Sequence, residues 1–255
     1  MKLKLIIAIL ICVAALVCMW SESGHALDPK DAVAYWDFED GAGDKVTDIS
    51  GHGHDGKIVG KLEWTKDGKH GGGLKFDGIV DNVVEVPNHT DLQITEDITM
   101  EGWVFPTSPN QGHVVGKQGS WGMPLWNNLE VKWVIWGGDW FTGVGPKVDE
   151  WTHIALVYDF SGAKQRYIYL NGEKEGEQAT SIKMPVSNNP LTMGQWDTLT
   201  GQEKLIGIID NVAIWNRPFS ADEVQEAMEG TTAVMPEDKL PVTWGNLKHQ
   251  ISIGR

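Results

Sequence analysis

The sequence predicts an all-β protein, an antiparallel two-sheet sandwich or jelly roll sealed by one short helix near its C-terminal side. Three observations predict it. Strand-like runs separated by Gly, Asn, Asp and Pro fill the chain from Val33 to Trp215, most of them with the period-2 alternation of half-buried strands. The first and last of these runs each lead into a polar turn carrying acidic residues, AYWDFEDGAG…DISGHGHDG (residues 34–56) and IIDNVAIWNRPFSADEV (residues 208–224). Domain ends commonly lie close together in space, so the pair reads as two neighbouring strands. Only one segment carries the signature of a helix.

The strand runs, in order, are VAYWDF (33–38), GLKFDG (73–78), NVVEVP (82–87), ITMEGWVFP (98–106), HVVGK (113–117), EVKWVIWG (130–137), WTHIALVYD (151–159), QRYIYLNG (165–172), PLTMGQW (190–196) and LIGIIDNVAIW (205–215). In ITMEGWVF the alternation places Ile98, Met100, Gly102 and Val104 on one face and Thr99, Glu101, Trp103 and Phe105 on the other. Asn171-Gly172 is the pair that favours a tight hairpin turn. The helix follows Ser220, which forms a capping box with Glu223; Asp222 and Glu223 suit its positive end, Val224, Ala227 and Met228 form an apolar stripe, and Gly230 closes it. Many short strands with regular turn signals belong to sandwiches and jelly rolls.

Residues 1–26 read as a signal peptide. Lys2 and Lys4 precede an apolar run, Leu5 to Val17, and Gly24-His25-Ala26 supplies small residues for cleavage. The run is shorter than the roughly 20 residues of a spanning helix. A lipoprotein reading centres on Cys18, but Val17 is bulky where a small residue is expected. Either way the chain is expected to be secreted or extracytoplasmic, in a periplasm or at a cell surface, with no membrane insertion of the folded part. The folded domain is expected over 27–230, followed by a tail, 231–255, containing Pro236 and Pro241 and too short for a domain.

Both cysteines, Cys12 and Cys18, fall in the leader, so the folded part carries no disulfide and no thiol chemistry. Without Lys2, Lys4 and Glu22 the formal charge moves from −14 to −15. Nucleic acid and anionic membranes would be repelled by such a surface, whereas neutral glycans and cations would not.

Seven motifs stand in order: AYWDFEDGAG, DISGHGHDGKIVG, GGGLKFDGIVDNVVEV, ITMEGWVFPTS, EWTHIALVYD, YIYLNGE and LIGIIDNVAIWNRPFSADEV. On these the chain resembles the laminin-G-like jelly-roll family of the concanavalin A-like lectin/glucanase superfamily, over residues 32–230. The resemblance implies a flattened antiparallel sandwich with one concave face. It also implies a structural calcium between the first and last strands, held by an Asp of the last strand and by loop carbonyls. Carried onto this sequence, Asp210 is the leading ligand, followed by Asp48 and Asp37, with the Gly51 carbonyl as a further oxygen; calcium takes six to eight such oxygens. The competing reading is that Asp48 bonds its own turn backbone and Asp37 faces solvent. His52 and His54 in the glycine turn lack a visible third ligand and read as turn residues.

Twelve tryptophans remain beyond the leader, five of them between Trp121 and Trp140. Flat aromatic faces stack on sugar rings. Trp121, Trp126, Trp136 and Trp140, flanked by Gly, Asn and Asp, are the candidates for such contact, with Trp196 at the rim. Alternation in EVKWVIW points Trp133 and Trp136 opposite ways, and Trp36, Trp103, Trp151 and Trp215 read as core. Glycan hydrolysis needs paired carboxylates at a fixed separation, but Glu101 and Glu130 each stand alone. No nucleophile elbow, zinc-protease motif or phosphate loop is present, and His153 alternates with apolar neighbours. The expectation is therefore an exported, non-catalytic module that binds carbohydrate or a glycosylated surface. Its rivals are a polysaccharide hydrolase or lyase of the same superfamily and a protein–protein adhesion domain.

Overall fold

Two eight-stranded antiparallel sheets build the computed structural model, which describes residues 27–196 and 203–230; the expected leader and tail lie outside the described residues. Sheet 1 runs β14 (Glu173–Ala179), β13 (Gln165–Leu170), β12 (Thr152–Asp159), β7 (Ile98–Pro106), β16 (Ile206–Trp215), β5 (Gly71–Asp77), β4 (Glu63–Gly68), and β1 (Ala34–Trp36) also pairs with β16. Sheet 2 runs β11 (Trp140–Phe141), β10 (Lys132–Ile135), β9 (Trp121–Leu125), β8 (Gly112–Lys117), β15 (Leu191–Met193), β6 (Val83–Val86), β3 (Gly56–Val59), β2 (Lys45–Val46). The first and last strands do pair, Ala34 with Ile214 and Trp36 with Val212. The fold is the concanavalin A-like jelly-roll sandwich that the sequence predicts.

The main core lies between the sheets and takes alternate residues from most strands, with consecutive Val114 and Val115 from β8, where the register slips. Ile98, Met100 and Val104 of β7 meet Val114 and Val115, Met123, Trp133 and Leu191 of sheet 2, all fully buried. Trp36 lies at its centre, and its indole Nε1 donates to the His54 carbonyl at 2.9 Å. A second, smaller core covers the outer face of sheet 1. There the helix α1 (Ala221–Met228) and the opening segment lay Leu27, Ala32, Phe219, Val224 and Ala227 over Ala155, Val157, Tyr169, Ala213 and Trp215. The capping box forms as read, with Ser220 Oγ accepting from the Glu223 amide and Glu223 accepting from the Ser220 amide at 2.8 Å. Gly230 ends the helix at φ +80°, a conformation that glycine adopts without strain. The backbone amide of Leu27 donates to Glu226 Oε1 at 2.9 Å and fastens the start of the domain to this helix.

Six strands exceed the sequence expectation: β2, β3, β4, β9, β11 and β14. Two of them, β4 and β14, border sheet 1, and EKEGEQA in β14 is polar because an edge is kept charged against pairing with other chains. In β9, WGMPL hides its strand character behind Gly122 and Pro124. Proline is tolerated there because the β8–β9 register slips between His113, the partner of Pro124, and Gly116. No helix among the described residues is long and apolar enough to cross a membrane.

Removing the Trp36 side chain empties the centre of the main core and strands the His54 carbonyl. Trp36→Ala is expected to lower the unfolding free energy by about 3–5 kcal/mol, read from the urea midpoint.

Candidate functional site

The tryptophans divide by face. Lys132 and Phe141 are cross-strand partners, and so are Trp133 and Trp140. Trp133 is in the main core, so Lys132 and Phe141 point outward from sheet 2. Trp126 meets Phe141 edge to face at 5.9 Å between centroids, and Lys132 Nζ lies 5.0 Å from the Trp126 ring and 5.5 Å from that of Phe141. Asp139 holds Lys132 in place at 3.0 Å. Trp136, in the turn after β10, is 53% exposed and Phe141 49%. Trp126 and Phe141 thus form an aromatic surface around a fixed cation, and Trp136 is a further exposed ring on the same face of β10 as Lys132.

Other candidates leave this surface. Trp121 is fully buried among core residues facing the other sheet, which corrects its assignment as a ligand contact: the alternation of β9 turns it inward with Met123 and Leu125. Trp196 does reach the outer face of sheet 2, but it packs edge to face on His113 at 5.1 Å and is only 8% exposed. It lies over Gly122, where a Cβ would collide with its ring. It fills a glycine-floored slot and offers no stacking face. Trp140 lies partly buried against the core, with the Arg166 guanidinium 5.5 Å from its ring. Phe141 escaped the sequence reading because its strand, β11, is only two residues long and carries no periodicity.

Beside Trp126 the chain turns through Asn127 and Asn128 into a cavity of about 720 Å³, lined also by Asn110, Gln111, Lys204 and Glu203. Gln111 Nε2 donates to Asn127 Oδ1 at 3.0 Å. The turn holds Asn128 at φ 56° and Leu129 at φ 65°. Asparagine accepts that region readily; for buried Leu129 it stores about 1–3 kcal/mol of strain, of the kind that surrounding structure maintains at binding sites. Primary amides donate and accept together, which suits the hydroxyl groups of a sugar.

The acidic candidates do not converge. Asp48 is a brace: Oδ1 accepts from the Tyr35 and Ser50 amides at 3.1 and 2.9 Å, and Oδ2 from the His54 amide at 2.8 Å. Burial pulls its pKa up, and these hydrogen bonds outweigh that and hold it below the usual carboxylate range. With its lone pairs directed at main-chain donors, Asp48 does not fit a cation ligand, and its turn-bonding reading is the one the structure supports. Asp37 accepts from the Glu39 amide at 3.3 Å, and burial with its acidic neighbours raises its pKa. Gly51 is an exposed turn glycine at φ +86°. None of these belongs to a group of three acidic or imidazole side chains with ligand atoms within 4.8 Å among the described residues.

Asp210 differs. It is fully buried at a break in β16, between residues paired to β5 and residues paired to β1, where Asn211 adopts φ 45°. Oδ2 accepts from the His70 amide at 2.8 Å, whereas Oδ1 has no hydrogen-bond partner. Burial pushes its pKa up to about 6, helped by the nearby Glu39 carboxylate. A buried carboxylate oxygen without a donor fits a cation ligand.

Glu101 accepts from Trp215 Nε1 at 2.9 Å and lies 3.0 Å from His153 Nε2, and both side chains are buried under the helical layer. Trp103, 5.3 Å from His153, donates from its indole to the Met228 carbonyl at 3.2 Å and seals the pair beneath α1. Glu101 therefore anchors the second core.

An antiparallel jelly-roll sandwich with an outward aromatic surface belongs to the lectin-like class of folds. A family model described as "Concanavalin A-like lectin/glucanases superfamily" matches residues 76–225, and the chain belongs to that family. No curated protein matches the sequence. Among solved structures, the fold is shared with the binding domain of Paraclostridial Mosquitocidal Protein 1 (TM-score 0.64, 16% identity, 79% of this chain and 52% of that one). It is shared with domain 4 of AbnA, a GH43 extracellular arabinanase from Geobacillus stearothermophilus, in complex with arabinotriose (0.61, 17%, 77% and 97%). It is shared also with the ligand-binding domain of botulinum neurotoxin serotype D in complex with N-acetylneuraminic acid (0.61, 14%, 79% and 51%). The chain spans about half the length of the toxin chains and nearly the whole of the arabinanase domain.

The folded Asp210 holds its proton up to about pH 6 and the unfolded residue only to about 3.8, so the folded state binds more protons between these values and loses stability as pH rises through them. The loss amounts to at most about 3 kcal/mol. In chelator, wild-type melting temperature should fall from pH 4 to pH 7, and Asp210→Asn should flatten that fall.

Proposed function

We propose that this chain is an exported, non-catalytic carbohydrate-binding module that recognises neutral oligosaccharides on the outer face of sheet 2. One observation carries the reading: Trp126 and Phe141 are set edge to face around Lys132, beside the amide-lined cavity of about 720 Å³. Exposed rings cover the apolar faces of a pyranose or furanose, Lys132 and the amides meet its hydroxyls, and Trp136 extends the surface. Similarity to domains solved with arabinotriose and N-acetylneuraminic acid supports carbohydrate as the ligand class. The net charge of −14 favours neutral over acidic sugars. The basic-then-apolar leader supports export, and the burial of Glu101 supports binding rather than hydrolysis. We further propose calcium at Asp210, with its unpartnered oxygen as the ligand atom, in a structural role remote from sugar contact.

A glycan array with and without calcium identifies the sugar, and calorimetry on the best hit tests the surface. Trp126→Ala and Phe141→Ala are each expected to weaken binding at least tenfold, as loss of a central ring does. Unchanged affinity in both variants would remove the aromatic surface as the site. Calcium is expected to raise the melting temperature of the wild type and leave that of Asp210→Asn unmoved.

A further inference from the structure

His54 emerges from the DISGHGHDG turn with its backbone held on both sides. Its amide donates to Asp48 Oδ2 at 2.8 Å and its carbonyl accepts from Trp36 Nε1 at 2.9 Å. The ring is 3% exposed, and its Nε2 is buried with no hydrogen-bond partner. An imidazole nitrogen left so is destabilising unless something binds it. What faces it is a second loop, 35 residues further along the chain. Asp91 Oδ2 lies 3.7 Å from His54 Nε2 and 3.2 Å from His89 Nδ1, and the two imidazole rings lie 5.0 Å apart. One donor atom from each of the three residues falls within 4.8 Å of the others.

We propose that His54, His89 and Asp91 form a binding site for a divalent transition metal of the zinc class. At zinc–ligand distances near 2.0–2.2 Å, tetrahedral ligands stand about 3.3 Å apart, so the two measured separations bracket the required value. Two imidazoles and one carboxylate favour zinc over calcium or magnesium, which take oxygen donors. His89 and Asp91 are about half exposed, so an ion enters from solvent without unfolding the loop. Asp91 also lines a cavity of about 430 Å³ with His52, Lys30 and Asn216, which leaves room beside the cluster for water or an anionic ligand group to complete the shell. The sites at Asp210 and on the aromatic surface share no residue with it.

The test uses the full chain, stripped with chelator and titrated with cobalt(II), zinc(II) and calcium(II). The expected result is one cobalt ion per chain with the visible absorption of a tetrahedral site, displaced by zinc and untouched by calcium. His89→Ala and Asp91→Ala, both at exposed positions that leave the core intact, are each expected to weaken zinc binding at least tenfold and to abolish the zinc-dependent rise in melting temperature. His70→Ala, outside the cluster, should retain both. Absence of the cobalt spectrum, or wild-type zinc affinity in both His89→Ala and Asp91→Ala, would overturn the proposal.

Discussion

The architecture depends on how the last strand is shared. One edge of β16 pairs with β7 along its length. The other edge pairs first with β5, through residues 206–209, and then with β1, through residues 212–214. A strand with three partners ties the first strand and the last to β5 and β7, so the sheet is closed by pairings distant in sequence and not by hairpins alone. Asp210 and Asn211 occupy the changeover point, and the register with β7 slips just after Asp210, which still pairs with Trp103. The buried carboxylate with its unpartnered oxygen is thus a product of the topology. The backbone bends where partners change, and a side chain fills the space between the ends of β5 and β1.

The same economy governs the two faces. Both faces of β7 are buried, one against sheet 2 and the other beneath α1, which explains why Glu101 looked solitary in the sequence and is inaccessible in the fold. Among the described residues no helix covers the outer face of sheet 2. Its side chains are therefore either small and overlaid, as at Gly122 beneath Trp196, or large and open, as at Phe141. Burial here separates structural aromatic residues from available ones, although composition alone makes them equivalent.

Much of this was legible in the chain. Period-2 alternation located β7, β12 and β13 within a residue or two, the capping box located α1, and alternation in EVKWVIW set Trp133 and Trp136 on opposite faces; their burial shows Trp133 inward and Trp136 outward. Polar edge strands such as β14 were illegible because their composition answers to solvent and not to a core. Trp121 misled because its neighbour Gly122 reads as a turn, whereas that glycine leaves room for the ring of Trp196, which follows β15. His89 and Asp91 could not be paired with His54 by any spacing rule, since the β3–β6 ladder alone brings their loops together.

The hydrogen bond from Leu27 to Glu226 fixes where the domain is held. The chain enters beside α1, and α1 is also where the described part ends, so both connections emerge over the outer face of sheet 1. The open aromatic surface looks out from sheet 2, on the opposite side of a sandwich whose sheets stand about 10 Å apart. The two ends of the described part thus share one face of the sandwich, and the exposed ring of Phe141 occupies the other.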